Sequence, residues 1–86
     1  MIDLSMEVKR LHKLDGEGKL KAFVDVAIAD LLMIKGLRVI NGKKGLFVGM
    51  PREQGRDGQW YQTIFPLNEE AKSQLDSVVL QAYQEA

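Results

Sequence analysis

Four basic side chains flank one short apolar strand near the middle of this 86-residue sequence, and two aromatic residues follow them. The six residues are Lys43, Lys44, Arg52, Arg56, Trp60 and Tyr61. Cations that contact phosphates and rings that stack on bases are the residue types of a nucleic-acid site. Loops at opposite ends of one strand lie together only if the chain curls or a second subunit joins them. The pattern therefore fits either a solvated loop face or a nucleic-acid patch.

Other groupings that could support catalysis are incomplete. His12 is the single histidine, and no second nitrogen or sulfur ligand and no nucleophile is spaced to use it. The glycine-containing stretches 16–18 and 55–58 lack the strand-to-helix context and the lysine of a phosphate-binding loop. We therefore expect no enzyme activity, no metal ion, no cofactor and no small-molecule substrate.

Composition limits the kind of protein that can carry these residues. Twelve basic and twelve acidic side chains balance, so any nucleic-acid site must be a local patch rather than an overall field. The sequence has no cysteine, and no run approaches the roughly 20 apolar residues of a membrane span. The N-terminus lacks the basic and then apolar pattern of a signal sequence. We expect a soluble, cytoplasmic protein that does not bind membranes.

Alternating apolar residues predict the strands that position the basic groups. The first strand begins at Leu4 and changes phase near Arg10, where we expect a bulge before a turn at 15–18. The second covers 20–28, and the third covers 31–40 with a bulge at Gly36. An Asn-Gly turn leads into the fourth strand, 46–50. We expect an exposed loop at 51–58 and a fifth strand at 59–65.

A single amphipathic helix closes the chain. Asn68 is a good N-cap, and Glu69 and Glu70 lie in the first turn, where the helix dipole favours negative charge. One apolar stripe follows the 3.6-residue period and consists of Ala71, Leu75, Val78, Val79, Ala82 and Tyr83. The predicted fold is α+β: one domain, residues 1–86, with an antiparallel β-meander of about five strands and the C-terminal helix packed on one face.

A chain of this length has a thin core, because only about 60 to 70% of its unfolded surface can be buried. The second face of the second strand is also partly apolar, and the fourth strand would be a hazardous free edge in a monomer. We therefore predict a homodimer built through the fourth strand, the fifth strand or both. The predicted interface residues are Leu46, Phe47, Val48, Met50 and Ile64.

Several segments of the sequence carry a family resemblance. They are residues 37–42, residues 45–51, the Asp57-Gly58 turn, Pro66, and the helix residues Val79, Leu80 and Tyr83. From about Met6 to the C-terminus the chain resembles the SpoVG family, the stage V sporulation protein G or septation proteins of bacteria. The resemblance covers nearly the whole chain.

The resemblance implies a small dimer in which the region after the central strand is exchanged or paired between subunits. It also implies a role in septum formation, the cell-division cycle and sporulation, and binding of DNA or RNA in the regulation of transcription. The implied contacts lie just after Met50-Pro51, here residues 52–56, and on the helix. The alternative is a protein–protein interaction module of cell division or regulation that does not bind nucleic acid itself.

Overall fold

The computed structural model describes residues 5–86, so the predicted strand start at Leu4 lies outside the described residues. Four consecutive strands form one antiparallel sheet in the order β1-β2-β3-β4: β1 Met6–Lys13, β2 Leu20–Ile28, β3 Leu32–Gly42 and β4 Gly45–Gly49. Two short strands, β5 Arg52–Gln54 and β6 Trp60–Gln62, form a separate hairpin, and helix α1 Glu69–Glu85 follows. The predicted α+β class, the antiparallel sheet and the C-terminal helix are confirmed.

Both predicted bulges are present in the sheet. The β1–β2 register shifts between Val8 and Arg10. The β2–β3 register shifts where residues 35 and 36 lie opposite Asp25. Gly36 has φ +85°, a conformation that side chains disfavour, and its N–H donates to Asp25 Oδ1 at 3.1 Å. The second bulge is therefore held by a side chain from the neighbouring strand.

The hydrophobic core lies between α1 and one face of the four-stranded sheet. Leu75 and Val79 are the buried residues of the helix, as the apolar stripe predicts. They pack with the buried sheet residues Ala22, Val24, Val26, Leu37, Val39 and Val48, together with Met50. Asn68 caps the helix as predicted, because its Oδ1 accepts the N–H of Ala71 at 2.8 Å. At the other end, Lys13 Nζ donates to the carbonyl of Ala86 at 2.7 Å.

The segment after β4 differs from the prediction. Residues 52–54 were expected in a loop, but they pair with β6, and β6 ends at Gln62 without joining the main sheet. A tight turn closes this hairpin: the N–H of Gly58, at φ +84°, donates to the carbonyl of Gly55 at 3.0 Å. Main-chain hydrogen bonds can thus form a strand from polar residues, which the apolar pattern does not reveal.

Within residues 5–86, no helix is long and apolar enough to cross a bilayer.

Candidate nucleic-acid interface

The face of the sheet opposite α1 carries a mixture of basic and aromatic side chains. In β2 and β3 the neighbours of core residues point to this face, since successive side chains alternate across a strand. Phe23 pairs with His12 on one side and with Arg38 on the other, and Arg10 pairs with Asp25. Charged and aromatic groups from three strands therefore share one surface.

A groove runs between this surface and the β5–β6 hairpin. Its larger part has a volume of about 500 Å³ and is lined by Lys19, Leu20, Phe23, Gly36, Arg38, Ile40, Arg52 and Trp60. A smaller part of about 280 Å³ is lined by Arg10, His12, Phe23, Asp25, Lys35 and Gly36. The two parts share Phe23 and Gly36, so they lie side by side. We call them together the sheet-face groove.

Arg38 lies at the floor of the sheet-face groove. Its guanidinium lies against Gly49, where an added Cβ would be 2.8 Å from Nη2 and 3.0 Å from Cζ. Nη2 donates to the carbonyl of Met50 at 3.1 Å, and Nε is buried without a hydrogen-bond partner among the described residues. Burial and then the positive charge of Arg52 lower the pKa of Arg38, which nevertheless stays protonated at neutral pH. The floor thus holds a charged group whose hydrogen-bonding capacity is not fully used.

Arg52 and Trp60 form the wall that the hairpin contributes. The guanidinium carbon of Arg52 lies 4.9 Å from the centre of the Trp60 ring, a cation–π distance. Trp60 is 55% exposed, and Phe23, on the sheet side of the same groove, is 40% exposed. Two aromatic surfaces and two guanidinium groups therefore face one cavity.

The charge in the sheet-face groove is strongly positive. Its lining includes five cations, Arg10, Lys19, Lys35, Arg38 and Arg52, against the single carboxylate of Asp25. In the stretch from residue 5 to residue 86, none of these five forms an ion pair. Asp25 already accepts a hydrogen bond from Gly36. The arrangement can attract an anion without first breaking a salt bridge.

The six residues predicted to bind nucleic acid do not form one patch within a single chain. Arg52 and Trp60 lie together in the sheet-face groove. Lys43 and Lys44 lie in the β3–β4 turn beside Phe47. Arg56 is in the turn between β5 and β6. Tyr61 points to the other side of the hairpin, because Gln54 opposes Trp60 and Glu53 opposes Tyr61.

Tyr61 and Asp57 hold the hairpin turn. The Tyr61 hydroxyl donates to Asp57 Oδ2, and the N–H of Gln59 donates to Oδ1 at 3.0 Å. The hydroxyl, with a smaller contribution from Gln59, lowers the pKa of Asp57, and the same bond raises the pKa of Tyr61. These two residues shape the loop that carries Arg56.

Sequence reasoning missed most of the groove. Five residues of its lining were not assigned to a site by the sequence: Arg10, Lys19, Phe23, Lys35 and Arg38. Phe23 and Arg38 each lie between two buried residues of the same strand. Since side chains alternate across a strand, this position is the signal that places both on the face opposite the core.

The residues predicted for the dimer interface have different environments in the single chain. Val48 and Met50 are buried in its core, so they offer little surface to a partner. Leu46 and Ile64 are half-buried against that core. Phe47, at 49% exposure, is the one most available for contact. β4, which contains three of the five, is an edge strand of the four-stranded sheet.

No cluster of three or more histidine, cysteine, aspartate or glutamate residues that could hold a metal ion occurs in the part of the chain that the structure describes.

Comparison with known proteins identifies the family. The SpoVG family model matches residues 5–85, which is nearly the entire chain. The chain belongs to the SpoVG family. A relative from Lachnospira eligens is 36% identical over 90% of this chain and 88% of its own length. One from Archaeoglobus fulgidus is 38% identical over 88% of this chain and 89% of its own length. Both SpoVG relatives carry the name "Putative septation protein SpoVG".

Proposed function

We propose that this protein is a dimeric, non-enzymatic regulator of the septation and sporulation protein family that binds DNA or RNA in the cytoplasm. The observation that carries the proposal is the set of five cations, without ion pairs among residues 5–86, along the sheet-face groove. A protein with no net charge binds a polyanion through such a local concentration of charge. The phosphate backbone is the ligand that matches it.

Binding should be strongly dependent on salt. Each phosphate contact contributes about 0.9 to the slope of log affinity against log salt on duplex DNA, and about 0.7 on a single strand. Phosphate contacts position a nucleic acid without reading its sequence, so their loss should weaken binding to all sequences alike.

The test is a fluorescence-polarisation titration against duplex and single-stranded oligonucleotides at two salt concentrations. Two double variants remove the same charge: Lys19→Ala with Arg52→Ala in the groove, and Lys43→Ala with Lys44→Ala in the β3–β4 turn. The groove variant should reduce the salt slope by about 1.8 on duplex or about 1.4 on single strands. The turn variant should change it less.

A larger reduction of the salt slope by the turn variant than by the groove variant would place the site at the turn. Circular dichroism should confirm that all proteins are folded. Undetectable binding by the wild-type protein at low salt would overturn the proposal.

A homodimer would carry two such grooves. The support for a dimer is the unpaired edge of β4 in the single chain and the exposure of Phe47 on it. Sedimentation at micromolar concentration should show a dimer, and Phe47→Asp should shift it toward monomer. A stable wild-type monomer would contradict this part of the proposal.

A protein-interaction module is the second candidate, and exposed apolar residues outside the groove favour it. Leu31, Leu32, Phe65 and Leu67 are large apolar residues that are all strongly exposed. Exposed apolar residues of this kind mark contacts with other proteins when they form a contiguous patch. Lack of nucleic-acid binding together with a stable monomer would favour this function.

A further inference from the structure

We propose that the sheet-face groove is selective for single-stranded nucleic acid, with a base stacked between Phe23 and Trp60 and its phosphate held by Arg38 and Arg52. This inference rests on the proposed function, because it specifies the form of nucleic acid and the contacts that recognise it. It moves the site from the predicted loops to the face of the sheet.

The two rings are suited to stacking. Phe23 comes from β2 and Trp60 from β6, so they approach the same cavity from opposite sides, and both are about half-exposed. An aromatic ring left in water at the wall of a groove gains by covering its face with another planar group. Arg52 lies over one face of the Trp60 ring, so a base can stack on the other face of the ring or on the guanidinium plane itself.

The cations lie where the backbone of a stacked nucleotide would pass. Arg38 is fixed at the floor by Gly49 and the carbonyl of Met50, and its buried Nε has no partner within the described chain. Arg38 and Arg52 are close enough for one charge to lower the pKa of the other group. A phosphate between two guanidinium groups would accept their hydrogen bonds and remove their mutual repulsion.

The shape of the groove favours a single strand over a duplex. Its larger part, about 500 Å³, is within the roughly 300 to 1,000 Å³ range of pockets that enclose small ligands. Bases inside a duplex are stacked and paired, so their faces cannot reach rings inside a cavity, whereas a single strand can turn its bases outward. The duplex could touch only the cations at the rim.

The smaller part of the groove gives the strand a path to continue. It crosses β2 toward β1 and adds Arg10 and Lys35. Neighbouring strands are about 4.8 Å apart, so the path from β3 to β1 is about 10 Å long. The carboxylate of Asp25 also lies on this path, where its Oδ1 accepts the Gly36 N–H and the two cations outnumber it.

The test uses a 12-nucleotide RNA of mixed sequence, the same sequence as single-stranded DNA, the DNA duplex, and free AMP. Trp60 is the only tryptophan, so quenching of intrinsic fluorescence reports contact at the groove in the unmodified protein. Phe23→Leu and Trp60→Leu remove one ring each, and Phe65→Leu is the matched control, an exposed aromatic residue outside the groove.

The affinities of all variants are measured by fluorescence polarisation of labelled strands, because the Trp60 variants have no tryptophan to quench. Loss of either ring should weaken binding of the single strands by about 5- to 150-fold, the range of one base–aromatic stack. Duplex binding and the Phe65→Leu control should change by less than twofold. Trp60→Phe should restore most of the affinity, because it keeps a ring at the same position. RNA and single-stranded DNA are both expected to bind, and either one quenching Trp60 supports the inference.

Tighter binding of the duplex than of the single strands would overturn the inference while leaving the proposed function intact. The inference would also be overturned by single-strand binding that does not quench Trp60 fluorescence and that at least one of Phe23→Leu and Trp60→Leu leaves unweakened. AMP binding as tightly as the 12-nucleotide strand would show a site for free nucleotides instead. If no nucleic acid binds at low salt, the inference and the proposed function both fail.

Discussion

Replacing Leu75 with alanine should test the central packing contact of the fold. Leu75 is 3% exposed and lies in the core between α1 and the sheet. The change removes three carbon atoms, which amounts to about 2.4 kcal/mol at roughly 0.8 kcal/mol for each buried methylene. The cavity left behind adds to this cost, and buried Leu→Ala changes span about 2 to 5 kcal/mol.

We expect a loss in the upper half of that range, about 3 to 5 kcal/mol, because the surrounding core cannot easily collapse. Val24, Val26 and Val39 form the sheet surface beneath the helix, and β-branched side chains have few alternative rotamers to fill a hole. An 86-residue domain has a free energy of unfolding of roughly 4 to 13 kcal/mol. The variant should therefore be close to the limit of stable folding.

The measurement is urea denaturation, followed by circular dichroism and by Trp60 fluorescence. Leu67→Ala is the matched control, because the same atoms are removed from a residue that is 93% exposed, and it should cost less than about 0.5 kcal/mol. Asn68→Ala should fall between the two at about 1 kcal/mol, since it removes the helix cap.

A ranking in which Leu67→Ala is as costly as Leu75→Ala would refute the reasoning about this core. Repeating the melts at two protein concentrations separates a loss of packing within the chain from a loss of contacts between subunits. A cost for Leu67→Ala that depends on concentration would mean that this residue is buried between subunits.

Three further predictions concern the turns and the groove. Gly49→Ala should push the Arg38 guanidinium off the Met50 carbonyl, lowering both the melting temperature and the affinity for oligonucleotides; unchanged values would show that Arg38 can shift freely. Ala29→Gly should raise the free energy of unfolding by up to about 1 kcal/mol in denaturant melts, because Ala29 has φ +52°. Hydrogen bonds lower the pKa of Asp57 in the folded protein below its ordinary value of 3.8. The stabilisation that Asp57 provides is therefore complete above pH 3.8 and is lost as the pH falls through the lower pKa of the folded state; Asp57→Asn should lack this loss when stability is measured against pH in acid.

The period-two pattern and the glycine at position 36 were enough to predict the main sheet and two of its irregularities, but not the register shift between Leu20 and Ala22. In β2, the alternating apolar residues Ala22, Val24, Val26 and Ile28 lie on the face that packs on the helix, whereas Leu20 lines the sheet-face groove. In α1 the cap at Asn68 identifies the first turn. These features are local, since each depends on residues close together in sequence.

The hairpin and most of the groove were not predictable in the same way. β5 consists of Arg52, Glu53 and Gln54, whose side chains give no strand signal, and it forms because its main chain pairs with β6. The groove joins Arg38 to Trp60, which are far apart in sequence and meet only because the hairpin folds beside the open face of the sheet. Arg52 and Trp60 were found because they also stand in the basic and aromatic set near the central strand.

The alternation in β3 has a consequence for how this protein can evolve. Residues 37 and 39 are in the core, whereas residues 36, 38 and 40 line the groove. The two sets of positions thus lie on opposite faces of a single strand. A lineage can diversify the lining of its groove at residues 38 and 40 while purifying selection preserves folding at residues 37 and 39. A saturation-mutagenesis library of residues 37–40 should show the two phenotypes, abundance and ligand affinity, with opposite parity; before the bulge at Gly36 the phase reverses, since Ile34 packs on the core and Lys35 lines the groove.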